Sequence, residues 1–243
     1  MDTIKIDAKH VKMVAHRGVS GLERENTCPA FVAAGNRSYF GVETDVHVTG
    51  DGRFVILHDE TVNRVTLGKY QINVEESPYS VVENLVLPDL DGSTCRQDIR
   101  IPLLEEYIQI CKKYGKICVS EVKNHFPEDD LLRMVELIRK LDYLDNMIFI
   151  SFDLPNCLAL RKFLPESKIQ WLLGNVTVTE EIIKTLAENK LDVDIYYPVL
   201  TKELVDKFHT EGILVNCWTC DNKDHAAELI EMGVDFITTN ILE

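Results

Sequence analysis

The chain is predicted to fold as an α/β TIM (β/α)8 barrel with an insertion after the second strand and a truncated last helix. Three observations predict it. Eight short β-rich runs alternate with longer helical patterns along 243 residues. Such alternation gives parallel strands joined by right-handed crossovers, and eight units in about 250 residues fit a closed barrel. An open doubly wound sheet is the main rival, and no GxGxxG phosphate-binding turn supports it.

The predicted strands, in order, are Lys12–Ala15, Gly41–Val46, Lys116–Val122, Asn146–Ser151, Lys168–Leu173, Asp192–Tyr197, Ile213–Asn216 and Phe236–Thr238, with an extra extended run at Arg53–Leu57. Helical patterns lie near Thr27–Asn36, Leu103–Tyr114, Pro127–Leu141, Leu154–Phe163, Thr179–Asn189, Lys202–Thr210 and Lys223–Met232. Thr179 precedes the acidic first turn of EEIIKTLAE, where carboxylates complement the helix dipole. Asp221 is predicted to cap the last helix, and Gly233 to end it. Residues 59–100 are far too long for a βα loop of roughly 2–6 residues, so they are read as an insertion subdomain over one barrel mouth, within a single domain spanning 1–243. The sequence stops just after the last strand, so something other than an eighth helix must cover it.

A net charge of −14 argues against nucleic acid, whose binding needs cationic neutralisation of phosphates. It also disfavours attachment to anionic membranes. No apolar run of about 18 residues and no signal-peptide core occur, so the expected location is cytoplasmic, with no stable membrane anchor. Seven cysteines, an odd and scattered count, give neither a disulfide framework nor a zinc site, and Cys111, Cys118, Cys157 and Cys217 read as small core residues. The sequence sets no oligomeric state.

The second strand carries the first chemistry. Val42, Thr44, Val46 and Val48 can face the helices, which turns Glu43 and Asp45 toward the barrel axis. Unpaired inward carboxylates repel and lose solvation. Alternating acids usually mark a solvated face, but a parallel barrel has little of one. In KICVSEVKNH, Glu121 lies late enough on the third strand to join the other two, and three carboxylates without a thiolate favour one hard divalent cation, Mg²⁺ or Ca²⁺. His16 and Arg17 follow the first strand, before a turn-forming Gly18, and His58 follows the extra extended run. A lone histidine is more often structural than catalytic; two of them beside a metal suit acid–base hydrolysis of a phosphodiester. Arg17 can grip nonbridging oxygens, and Lys123 can add a point charge. His47, read as lying past the strand end, is assigned a structural or exposed role.

The segments HRGVSGLERENT, VETDVHVTGDGRFVILHDET, IPLLEE, SEVK, ISFD and VNCWTCDN resemble, in order, the motif series of the glycerophosphodiester phosphodiesterase family, from about Val11 to Asp235. The resemblance implies a TIM barrel with an insertion after the second strand. It implies that Glu43, Asp45 and Glu121 are metal-binding acids, that His16 and His58 are the general acid–base pair, and that Arg17 and Lys123 lie near the substrate phosphate. It implies that Trp218 lines the substrate pocket, against a core-filling alternative. The expected reaction turns a small-molecule glycerophosphodiester into an alcohol and glycerol 3-phosphate. Either histidine could be the acid, and either water or the neighbouring glycerol hydroxyl the nucleophile. Lysophospholipase D-type hydrolysis and a noncatalytic phosphodiester-binding scaffold are the alternatives. Two departures from the family pattern are Arg24, where proline is usual, and the ending DFITTNILE, where many members carry Asp-Arg-Pro.

Overall fold

The structure, a computed structural model, describes residues 2–243. Eight parallel strands close a barrel: β1 (Lys12–Ala15), β2 (Gly41–Val48), β4 (Ile117–Val122), β5 (Met147–Ser151), β6 (Lys168–Leu173), β7 (Asp192–Tyr196), β8 (Val215–Trp218) and β9 (Phe236–Thr239). Closure comes from β1 pairing in parallel with both β2 and β9. The remaining strand, β3 (Phe54–Ile56), is an antiparallel hairpin partner of the upper part of β2. Helices α1 (Cys28–Gly35), α2 (Leu104–Tyr114), α3 (Glu128–Lys140), α4 (Leu154–Phe163), α5 (Glu180–Glu188), α6 (Lys202–Thr210) and α7 (Lys223–Met232) form the outer layer.

Helix boundaries follow their local chemistry. The Thr179 hydroxyl accepts from the Ile182 amide at 3.3 Å and starts α5. Gly233 ends α7 in a left-handed conformation that costs glycine nothing. The N-cap of α7 corrects the sequence reading: it is Asn222, whose side chain accepts from the Asp224 and His225 amides, while Asp221 points to the barrel mouth.

The alternation of each strand separates two cores. Val42, Val46, Val193 and Ile195 pack under the helices, whereas Val14, Val119, Ile148, Ile150, Leu172 and Phe236 fill the barrel interior. A third cluster, built on Val55, Leu57, Val62, Val74, Tyr79 and Ile99, holds residues 59–100 together. That segment is mostly irregular, with only a short 3-10 turn at Tyr79–Val81 where SPYSVVENLVL reads as helical.

No helix follows β9 among the described residues. The N-terminal segment takes its place: Ile4 bridges in parallel to Leu242, and backbone bonds join Ile4 to Ile241 and Ile6 to Glu243. Leu242 is buried in the main core. The Glu243 carboxylate accepts from the Thr3 hydroxyl and from the Ser38 amide and hydroxyl.

Candidate functional site

The neighbouring strands β2 and β4 bring three carboxylates together. Each of Glu43, Asp45 and Glu121 offers an oxygen within 4.8 Å of the others, and all three are buried. Register explains the convergence: Asp45 pairs directly with Glu121 across β2 and β4, and both project inward. Lys123 Nζ stands 2.8 Å from Glu121 and 3.4 Å from Asp45. Arg17 Nε stands 3.3 Å from Asp45, and the Arg17 amide donates to Glu43 Oε2 at 2.8 Å.

That amide reaches Glu43 because Arg17 sits in the left-handed region at φ 54°. A long side chain there is uncommon, and Gly18 beside it, at φ 77°, is required twice over. A Cβ at Gly18 would meet the Ala30 backbone at 2.6 Å. Asn26, also left-handed at φ 56°, donates to Asp45 Oδ2 at 2.7 Å and accepts from the Thr44 hydroxyl at 2.8 Å.

The two predicted histidines lie on this pocket with Arg17, Glu43, Glu121, Ile150, Phe152, Leu172, Asp194, Trp218 and Thr238. Asn240 gives its Nδ2 proton to Asp221 at 2.6 Å, so its Oδ1 faces His16 Nδ1 at 2.7 Å and accepts from it. His16 Nε2 is thereby left toward the acids, 3.9 Å from Glu43. His58 Nδ1 meets Asp59 Oδ1 at 2.6 Å, again freeing Nε2. Asp59 is held by Arg64, Arg64 by Glu25, and Glu25 bonds Arg17 at 3.0 Å. A chain of charged contacts thus runs from the 59–100 segment to the acid cluster.

The electrostatics follow from burial. Glu43 is pushed well up, first by burial and then by the charge of Asp45. Glu121 is pushed up to about 7 by the same two causes. For Asp45 burial is outweighed by Lys123 and Arg17, which hold it well below the usual carboxylate range. His16 is lowered to about 4, by burial and then by the Arg17 charge. Burial lowers His58 as well.

A cation fits this donor set. Asp45 Oδ1 is buried without a hydrogen-bond partner, and buried polar atoms are nearly always partnered. Three acids face only two cationic side chains, and hard oxygen donors suit Mg²⁺ or Ca²⁺.

His47 departs from the sequence reading. It lies within β2, not past its end, because pairing with β3 (His47↔Val55) extends the strand to Val48. It is fully buried, bonds Glu75 at 2.6 Å through Nδ1 and approaches the His58 carbonyl at 3.3 Å. It is a strut between β2, the His58 loop and residue 75. Trp218 lines the pocket, half-buried, with Phe152 edge-on at 5.7 Å. Reading the sequence missed Glu25, Asn26, Asp59, Arg64, Asp221, Asn240 and Asp194. Asp194 alone carried a usable signal, as an acid alternating with Val193 and Ile195.

Residues 16–243 match the family model described as the glycerophosphoryl diester phosphodiesterase family. The chain belongs to that family, a family of hydrolases. A glycerophosphodiester phosphodiesterase from Bacillus altitudinis is 28% identical over 236 residues, covering 94% of each chain. A crystal structure of a glycerophosphodiester phosphodiesterase from Parabacteroides distasonis superposes with a TM-score of 0.79 at 25% identity, covering 99% of this chain and 94% of that one. A phosphodiesterase from Oleispira antarctica, solved with the product sn-glycerol-3-phosphate, gives a TM-score of 0.85 at 23% identity over 94% of this chain and 92% of its own. At that identity the likeness speaks for the fold alone. No helix among the described residues is long and apolar enough to cross a membrane.

Proposed function

We propose that this protein hydrolyses glycerophosphodiesters to an alcohol and glycerol 3-phosphate, with a divalent cation on Glu43, Asp45 and Glu121 and with His16 and His58 as the proton-transfer pair. One observation carries the reading: three buried acids from neighbouring strands converge beneath two histidines whose Nδ1 atoms are both engaged, leaving Nε2 free. A cation bound there would supply Lewis-acid stabilisation of charge on the phosphoryl oxygens.

The chain's own residues do the rest. Without a cation, burial and mutual repulsion push Glu43 and Glu121 toward their protonated forms, so a bound cation would be what keeps all three carboxylates ionised. Arg17 and Lys123, already fixed by the acids, clamp nonbridging oxygens. One histidine removes the proton of the nucleophile, water or the neighbouring glycerol hydroxyl, and the other protonates the departing alkoxide. Asn240 and Asp59 fix which nitrogen of each ring works. Trp218 and Phe152 flank the substrate. Residues 59–100 are a subdomain of a single catalytic domain, and through Asp59 and Arg64 they hold His58 and Glu25 in place. The proposed setting is cytoplasmic, with a soluble small-molecule substrate.

A lysophospholipid is the second reading, and the exposed ring of Phe152 beside Trp218 favours it by offering an apolar wall to an acyl chain. Incubation with glycerophosphocholine, glycerophosphoethanolamine, glycerophosphoinositol and lysophosphatidylcholine, followed by identification of the phosphorus-bearing products, separates the two. Glycerol 3-phosphate from the first three is expected; release of lysophosphatidic acid alone would replace this reading with the second. His16→Ala and His58→Ala should each lower kcat by about 10²-fold or more. Wild-type turnover in both variants would remove the histidines from the mechanism.

A further inference from the structure

The wall opposite the acids carries a group that the proposed mechanism does not use. Asp194 sits on β7 between Val193 and Ile195, both of which pack in the helix-facing core. Its side chain therefore turns into the barrel, where it lines the substrate pocket near Leu172, Trp218 and Thr238. The residue is only 1% exposed, and its Oδ1 is buried with no hydrogen-bond partner. No Lys, Arg or His among the described residues stands within ion-pair distance of it. The neighbouring polar groups bond one another instead: Asn216 donates to Gln170 at 3.0 Å and accepts from Thr238 at 3.2 Å. The Trp218 indole donates to the backbone carbonyl of Asp194, at 3.3 Å, and not to its carboxyl. An unpartnered buried carboxyl destabilises a fold, so its presence on the pocket wall calls for a ligand that completes it.

We propose that Asp194 binds the terminal hydroxyl of the substrate's glycerol moiety and so selects glycerophosphodiesters over phosphodiesters that lack this group. The inference rests on the function proposed above. Position argues for glycerol over the head group. Asp194 lies at the closed end of the pocket, while Phe152, 48% exposed, and Trp218 stand toward its mouth. The invariant part of the substrate suits the closed end, and the variable alcohol suits the open one. The lining also matches a polyol, since Ile150 and Leu172 can take its carbon edge while Asp194 takes an oxygen. Chemistry argues against a cationic head group. Burial, and then the charge of Glu121, push the Asp194 carboxyl well above its usual range, which favours the form that both donates to and accepts from a hydroxyl. An ammonium group would need the ionised form that both causes oppose.

The test compares glycerophosphocholine with 2-hydroxypropyl phosphocholine, which keeps the hydroxyl next to the phosphodiester and lacks only the terminal one. The wild-type protein should prefer glycerophosphocholine by about 10²-fold in kcat/KM, on the scale of a site built to hold a hydroxyl. Asp194→Ala should lose most of that preference, falling tenfold or more on glycerophosphocholine and little on the analogue. Asp194→Asn, which keeps a donor and an acceptor, should retain most of it and carries the comparison if the alanine variant does not fold by circular dichroism. A wild-type protein indifferent to the two substrates, an alanine variant with the full preference, or an asparagine variant equally impaired on both would each overturn the assignment while leaving hydrolysis intact. A wild-type protein that hydrolyses neither overturns the function itself, and this assignment with it.

Discussion

The two halves of the barrel mouth are built on opposite plans. On the side of β1, β2 and β4, most polar groups are committed, the buried Asp45 Oδ1 and the two histidine Nε2 atoms apart: Arg17 to Glu25, Glu43 and Asp45, Asn26 to Asp45, Lys123 to two acids, and His16 and His58 to Asn240 and Asp59. On the side of β5 to β8 the wall is Ile150, Phe152, Leu172 and Trp218, with one unpartnered acid. The first plan fixes charges before a substrate arrives, so little reorganisation remains at the moment of reaction. The second leaves contacts open for the substrate to complete. On the function proposed above, preorganised chemistry and substrate choice occupy separate walls, and the two should fail differently when mutated.

The largest effect is expected where charge is densest. Removing the cation with a chelator, or substituting Glu121→Gln, should lower kcat/KM by about 10³-fold, the scale of several kcal/mol of lost transition-state stabilisation. A second measurement separates this from misfolding. Added Mg²⁺ or Ca²⁺ should raise the Tm of the chelator-treated wild-type protein, because a ligand that binds only the folded state stabilises it, and should raise that of Glu121→Gln far less. Equal shifts in both proteins would mean that the cation binds elsewhere. On the other wall, Trp218→Ala should act mainly through KM, by about tenfold, and by an amount that depends on the departing alcohol. A uniform drop in kcat across all head groups would erase the distinction between the walls.

The same division explains what could be read from sequence. Glu43, Asp45 and Glu121 were legible because strand alternation alone decides that they point inward, and all eight barrel strands were located within about two residues. Glu25 and Asn26 lie in a quoted motif, yet their roles depend on a left-handed turn that folds the segment after β1 back over β2. Arg64 and Asn240 act across 39 and 224 residues of sequence, on Glu25 and His16 respectively, and no local pattern encodes such contacts. His47 was misplaced for a related reason: the hairpin with β3 lengthens β2 and buries a ring that would otherwise project beyond the strand. Asp194 was open to the same alternation argument as Asp45; Asp192 shares its strand face, but at the start of the strand, where it accepts from the Leu214 amide and does not line the pocket.

The smallest expected effect tests whether the charged wall is also structural. Burial raises the Glu25 carboxyl, but its bonds to Arg64 and the charge of Arg17 outweigh this and bring it down to about 2. A carboxyl lowered on folding adds stability above its unfolded value, near 4.5, and loses it as pH falls through the folded value. Glu25→Gln should therefore lower the Tm at pH 7 by a few degrees, the counterpart of about 1–2 kcal/mol in a chain of this size once partial solvent screening is allowed for. Between pH 4.5 and about 2 the gap to the wild-type protein should close. Activity adds a second axis: the glutamine cannot anchor both guanidinium groups as an anion, so Arg17 loosens and kcat/KM should fall by about tenfold, alike for every head group. A loss that varied with head group would place Glu25 with the opposite wall, and a Tm gap that persisted at pH 2 would separate its stability role from its charge.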